Sequence, residues 1–137
     1  QEKNPCSLCA NMRRGALNNA ALAHGCNKLA LAHNWDDCIE TFMMSMIYEG
    51  RLHTFSPVTH MERKNVYLIR PFLYCREGDI LRYVKQNQIP VLKNPCPHAG
   101  KSKRQEIKEM LAQMAKVNPD IKSNIFGAIQ RSDLWSR

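Results

Sequence analysis

Apolar residues recur along this chain with helical spacing in some stretches and in short unbroken runs in others. From Ser7 to His24 the chain is rich in Ala and Leu and has no internal Pro. This predicts a helix closed by Gly25. Lys28 to His33 is a short apolar run between polar neighbours and predicts a buried strand. A second helix is predicted from Asn34–Asp37 to Gly50, with Ile39, Phe42, Met43, Met46 and Ile47 on its apolar face. Its acidic start suits the positive end of a helix dipole. Residues 51–64 read as a loop or hairpin, and Val66–Ile69 as a strand stopped by Arg70-Pro71.

A third helix is predicted over Glu77–Asn87, with Ile80, Leu81 and Val84 on one side, then a short extended segment over 89–92. Residues 94–101 form a turn-rich loop with Cys96 between two prolines. Ser102 and Gln105 have capping-box spacing ahead of a helix whose face is Ile107, Met110, Leu111 and Met114. Asn118-Pro119 opens the last helix, with Pro at its first position and Ile121, Ile125, Ala128 and Ile129 inward. Alternating helices and short apolar strands predict an α/β fold weighted toward helix.

Length and composition narrow the class. The 137 residues suit one domain. Residues 1–93 make its α/β part, and 94–137 add a cysteine loop and a helical segment. A hydrophobic content of 44% excludes a wholly disordered chain. No run approaches the roughly 20 apolar residues that span a bilayer, so no membrane role is expected. Gln1 to Pro5 are polar and do not read as a signal peptide, and there is no initiator Met. The chain is expected to be processed or part of something longer. The 20 Lys+Arg against 12 Asp+Glu leave a net charge of +8, which points toward a polyanionic partner.

Six cysteines are many for this length, and two form Cys6-Ser7-Leu8-Cys9. In a reducing cytoplasm such a pair means metal or redox chemistry more often than a disulfide. Two thiolates three residues apart at a helix start can reach one metal. Cys96, between prolines, is the best third ligand, and His98 can be a fourth. Structural zinc, a redox dithiol and a three-cysteine iron–sulfur cluster all remain open at this point. Cys26, Cys38 and Cys75 fall in or beside predicted helices and strands and read as packing residues.

Asp36 and Asp37 follow a strand end, where α/β proteins bind ligands, and can hold magnesium or orient a leaving group. Helix capping by Asp36 is the alternative. Lys101, Lys103, Arg104 and Lys108, with Arg13 and Arg14, can contact phosphates or simply face solvent.

Taken in order, these pieces resemble the tRNA 2-thiocytidine synthetases, a family of PP-loop ATPases. The matching segments are Pro5-Cys6-Ser7-Leu8-Cys9, Arg13-Arg14-Gly15 and Leu29 through Thr41. Ile69-Arg70-Pro71, Tyr74-Cys75-Arg76-Glu77 and Asn94-Pro95-Cys96-Pro97 continue the match. The family's S-G-G-x-D-S phosphate loop is not among these residues, so the chain resembles the C-terminal portion of such an enzyme. Ala32 also stands where the family has Gly. The resemblance implies a partial adenine-nucleotide alpha-hydrolase-like, Rossmann-like sheet with a helix-rich C-terminal extension.

It further implies ATP- and Mg2+-dependent adenylation of a pyrimidine C2 oxygen in tRNA, a cytidine of the anticodon loop, followed by sulfur insertion. Cys6, Cys9 and Cys96 are then the ligands of a 4Fe-4S cluster. Arg13, Asp36 and Asp37 are the implied catalytic residues, and Ala32 and His33 the implied nucleotide contacts. Lys101, Lys103 and Arg104 are the expected tRNA contacts. A sulfur donor (a cysteine desulfurase or sulfide), a homodimer and a cytoplasmic location complete the expectation. The alternative is a non-enzymatic RNA-binding module with a zinc-stapled cysteine site.

Overall fold

The computed structural model describes residues 5–93, 95, 96 and 102–136, with side chains from Leu8 onward. The chain divides into two compact units, residues 1–31 with 57–71 and residues 32–56 with 72–137.

The first unit begins with helix α1, Pro5–Ala23. Pro at a first helical position has no amide to leave unpaired. Gly25 ends the helix as expected, at φ +68°. The Cys26 amide donates to the Ala21 carbonyl at 2.8 Å and the Gly25 amide to the Leu22 carbonyl at 3.0 Å, satisfying two terminal carbonyls. Strand β1 is Lys28–Ala30, β2 is Val58–Met61 and β3 is Val66–Ile69. The sheet order is β1-β3-β2. β1 runs parallel to β3, with Leu29 opposite Leu68, and β2 antiparallel, with Thr59 opposite Leu68. The loop or hairpin expected over 51–64 is a loop followed by one strand, and the hairpin it makes is with β3, turned by a 3-10 segment at Glu62–Lys64 and by Asn65 at φ +48°.

β1 is shorter than the predicted run to His33. Its partner ends at Ile69, and Pro71 has no amide to extend the ladder. One further bond, from the Leu31 amide to the Ile69 carbonyl at 2.9 Å, closes the pairing.

The second unit holds helices α2 (Trp35–Glu49), α3 (Glu77–Gln86), α4 (Lys103–Val117) and α5 (Ile121–Arg131). A 3-10 turn, Asp133–Trp135, follows them. The core joins Trp35, Cys38, Ile39 and Met43 of α2 to Leu73, to Ile107 and Leu111 of α4, and to Phe126 and Ile129 of α5. Phe126 is an aromatic hub, with ring centroids 5.6 Å from Trp35 and 5.8 Å from both Tyr74 and Trp135.

Several local expectations give way. Met46 and Ile47 are exposed at 40% and 46%, because the last turn of α2 runs past its packing partners. Met114 and Leu81 are exposed too, and α3 buries no residue completely. Of the three packing cysteines only Cys38 is buried; Cys26 and Cys75 are exposed. The capping box at Ser102 does not form. Its side chain makes no capping bond, and the Gln105 side chain turns to Glu109 instead. Pro119 precedes the last helix rather than opening it. The Asn118 side chain accepts from the Asp120 amide and the Asn118 carbonyl from the Ile121 amide, so a turn occupies 118–121 and α5 starts after it. No strand forms over 89–92, where Val91 and Leu92 are largely exposed.

Candidate functional site

The acidic pair sits in the first turn of α2, and its surroundings explain why that turn is charged. Asn34, not Asp36, caps the helix. The Asn34 side chain accepts from the Asp37 amide at 3.0 Å, and Asp37 Oδ2 accepts from the Asn34 amide at 3.0 Å. This reciprocal box satisfies two amides left unpaired by helix geometry. Asp36 is nearly buried, and its oxygens are spoken for inside the second unit. Oδ2 accepts from the Glu77 amide at 2.7 Å, and Oδ1 from the Lys122 ammonium at 2.8 Å. Asp36 thus ties the start of α2 to the starts of α3 and α5. In this arrangement it does not fit a magnesium ligand, because a cation there would compete with Lys122. Asp37 is more open: its Oδ1 faces Arg104 at 3.6 Å, with about a third of the side chain exposed.

One turn after Asp36 lies Glu40, 1% exposed. Arg104 Nη1 donates to Glu40 Oε2 at 3.0 Å and Arg104 Nη2 to Thr41 Oγ1 at 3.0 Å. Lys108 stands 3.6 Å from Glu40 and 3.1 Å from Glu77. A carboxylate this deep needs such partners, since burying an unpaired charge is expensive. Burial pushes the Glu40 carboxyl above its ordinary value, against the pull of the Arg104 hydrogen bond and the Lys108 and Arg104 charges. Burial also works against the Lys108 ammonium. There the Glu77 hydrogen bond and the Glu40, Glu77 and Asp37 charges prevail, and its pKa is raised.

The sequence reading missed Glu40, Glu77 and Lys122, and left Lys108 among the phosphate contacts. The available signal was Glu40 itself, which shares one helix face with Asp36 and Met43. A carboxylate on an apolar face requires cations from other elements. A polar cleft of about 360 Å³ opens beside Asp36, lined by Trp35, Arg76, Arg82, Lys122 and Ser123 among others. Arg76 lies 5.0 Å over the Trp35 ring.

The other sequence-predicted residues are dispersed. In the first unit Cys9 and Arg13 are exposed on α1. With Cys6 they follow i, i+3, i+7 spacing, one stripe of the helix. The Cys6 side chain, Lys101 and His98 lie outside the described residues. In the second unit Cys96 is exposed after α3. Ala32 is exposed, and half-buried His33 has its ring 4.8 Å from Phe55. Lys103 is exposed with its ammonium 4.7 Å from the Tyr48 ring, whereas Arg104 is committed to Glu40. Among the described residues no group of three His, Cys, Asp or Glu side chains can hold a metal. Cys9 and Cys96 are exposed thiols, each on its own unit, and the first turn of α1 has no acidic residue.

A parallel strand pair with helices following its strands along the chain, the first of them with an acidic first turn, is an α/β arrangement. The PP-loop domain family matches residues 7–115, and the chain belongs to that family. It is 39% identical over 130 residues to a tRNA-cytidine(32) 2-sulfurtransferase of Coxiella burnetii (strain CbuG_Q212), covering 93% of this chain and 50% of that protein. The same enzyme of Geobacter metallireducens is 36% identical over 126 residues, covering 90% and 49%. That of Alcanivorax borkumensis is 40% identical over 131 residues, covering 93% and 45%. The U34-tRNA thiolase NcsA from Methanococcus maripaludis, solved with its [4Fe-4S] cluster, superposes with a TM-score of 0.75 at 29% identity. It is matched over 95% of this chain and 44% of its own. The chain spans about half the length of the relatives it matches. Among the described residues no helix is long and apolar enough to cross a membrane.

Proposed function

We propose that this chain is the cysteine-bearing portion of a tRNA 2-thiocytidine-forming sulfurtransferase. The observation that carries the reading is identity of 36–40% to tRNA-cytidine(32) 2-sulfurtransferases across at least nine-tenths of the chain. In the reaction, the cytidine C2 oxygen attacks the α-phosphorus of ATP and pyrophosphate leaves. A hydrosulfide, taken up as sulfide or released from a cysteine desulfurase's persulfide by two electrons from a thiol pair that becomes a disulfide, then attacks C2. AMP departs with the original oxygen, and the base undergoes no net oxidation. The S-G-G-x-D-S loop for ATP is not within these 137 residues, so adenylation belongs to the whole enzyme, read here as a cytoplasmic homodimer.

The residues take distinct roles in this reading. Cys6, Cys9 and Cys96 hold a 4Fe-4S cluster, which when bound offers one open iron to a sulfur species. Arg13, one turn beyond Cys9, supplies a cation for the negative charge that develops on the ring nitrogen and the departing phosphate. Asp37, the more open member of the acidic pair, orients the adenylated base. Asp36 acts through Lys122 and the Glu77 amide as a positioning residue. Ala32 and His33 lie on the nucleotide side, and Lys101 and Lys103 meet tRNA phosphates. Arg104 serves the α2 scaffold.

The test is nucleoside analysis of tRNA from cells in which the gene encoding this chain is deleted. Loss of 2-thiocytidine, restored by the wild-type gene and not by Cys9→Ser, is the expected result. Unchanged 2-thiocytidine with binding of tRNA intact would favour the non-enzymatic RNA-binding module.

A further inference from the structure

At the end of α2 remote from Asp36, the second unit contains a cleft of about 830 Å³. Apolar Phe42, Leu52 and Leu134 line it together with the basic Arg51, His53 and Arg131, and Leu52 is 65% exposed. Two glycines build it. Gly50, at φ +62°, ends α2 in the left-handed conformation and reverses the chain, so that the Arg51 amide donates to the Ser45 carbonyl at 3.0 Å. The reversal brings Arg51, Leu52 and His53 into the wall.

Gly127 sits inside α5, where glycine is unfavourable by about 1 kcal/mol relative to alanine. A β-carbon there would meet Arg131 Nη1 at 3.0 Å and Nη2 at 3.2 Å. The missing methyl gives the guanidinium its place along the helix. Arg51 shares its charge with Glu49. Arg131 has no carboxylate within ion-pair distance among the described residues, although Asp133 also lines the cleft.

Apolar and cationic side chains lining one cleft match a flat ring joined to an anion. We propose that this cleft seats an unpaired nucleotide of an RNA strand, its base against Phe42 and Leu52 and its phosphate against Arg131. The proposal rests on the reading that the substrate is an RNA, and adds a contact outside the reacting site. Single-stranded RNA is held by this combination of stacking surface and cation. A net charge of +8 favours the same occupant. A second copy fits less well, because a two-fold interface would pair this cationic patch with an identical cationic patch.

The test is fluorescence anisotropy of a labelled RNA stem-loop with the full chain, at several salt concentrations. Leu52→Glu and Arg131→Gln change exposed positions, and melting by circular dichroism verifies their fold. Arg131→Gln is expected to weaken binding about tenfold and to lower the slope of log K against log salt by about one. Leu52→Glu is expected to weaken it at least as much.

Affinities within twofold of wild type, matching the exposed control Lys116→Gln, would overturn the site while leaving the thiolation reading intact. No RNA binding by the wild-type chain would instead count against the RNA reading on which the site rests. Displacement of the stem-loop by AMP, with equal losses for AMP in the variants, would make it a free-nucleotide site and overturn RNA docking. A concentration-dependent doubling of mass abolished by Leu52→Glu would assign it to a second copy and overturn the proposal as well.

Discussion

Helices α1 and α2 both carry residues marked for chemistry, and the fold treats them in opposite ways. On α1, Cys9 and Arg13 stand at the surface with no hydrogen-bond or ion-pair partner among the described residues. On α2, Asp36, Asp37 and Glu40 are held by an amide, a cap and three cations drawn from α4 and α5. An exposed thiol such as Cys9 is open to a ligand. An interlocked charge network suits a scaffold that fixes where α2 begins, with Asp37, unlike Asp36 and Glu40, partly open to solvent. Charge at a helix start is therefore not by itself a reacting group. Its partners decide whether it is free to react.

The most forceful way to break this contrast is to unpair the network. Arg104→Met leaves the buried Glu40 carboxylate without its hydrogen-bonded cation, and a loss of roughly 3–5 kcal/mol is expected from stranding such a buried charge. Urea unfolding measures it. A loss below about 1 kcal/mol would mean the network is ornamental and would erase the distinction between the helices.

A smaller, sharper effect is the pH dependence. Burial raises the Glu40 carboxyl above its ordinary 4.5 in the folded chain. The unfolded chain therefore releases that proton first, and stability falls as pH rises from 4.5 through the folded value. Glu40→Gln should remove this fall from the wild-type profile. Lys108 is opposite in sign of charge. Its pKa is raised above 10.5, so its contribution is complete below that value and is lost as pH rises through the folded one. Unfolding midpoints from acid to alkaline pH, wild type against Glu40→Gln and Lys108→Met, separate the two. A flat acid limb in the wild type would contradict the burial of Glu40.

Much of this was readable in the sequence where the signal is local. β3 over Val66–Ile69 and the glycine caps at Gly25 and Gly50 follow from propensity and backbone geometry within a few residues. The α/β class and the PP-loop family were also legible, the latter from motif order. What failed depends on partners distant in the chain. Ser102 had the spacing of a cap, but Gln105 found Glu109. Arg104 read as a phosphate contact, because nothing near it in sequence shows that Glu40, sixty-four positions earlier, needs a cation. Asp36 read as a cap because its true partners, the Glu77 amide and Lys122, come from other helices.

The measurement that bears most directly on the central claim is iron and sulfide analysis after anaerobic reconstitution, with visible absorbance. It would compare the wild type, Cys9→Ser, Cys96→Ser and Glu40→Gln. The account predicts about four irons per chain in the wild type and in Glu40→Gln. It predicts their loss in both cysteine variants, with the stability of Cys9→Ser within about 0.5 kcal/mol of wild type, as for other surface substitutions. Stoichiometric zinc, or iron retained without Cys9, would contradict it and return the cysteine helix to a structural role.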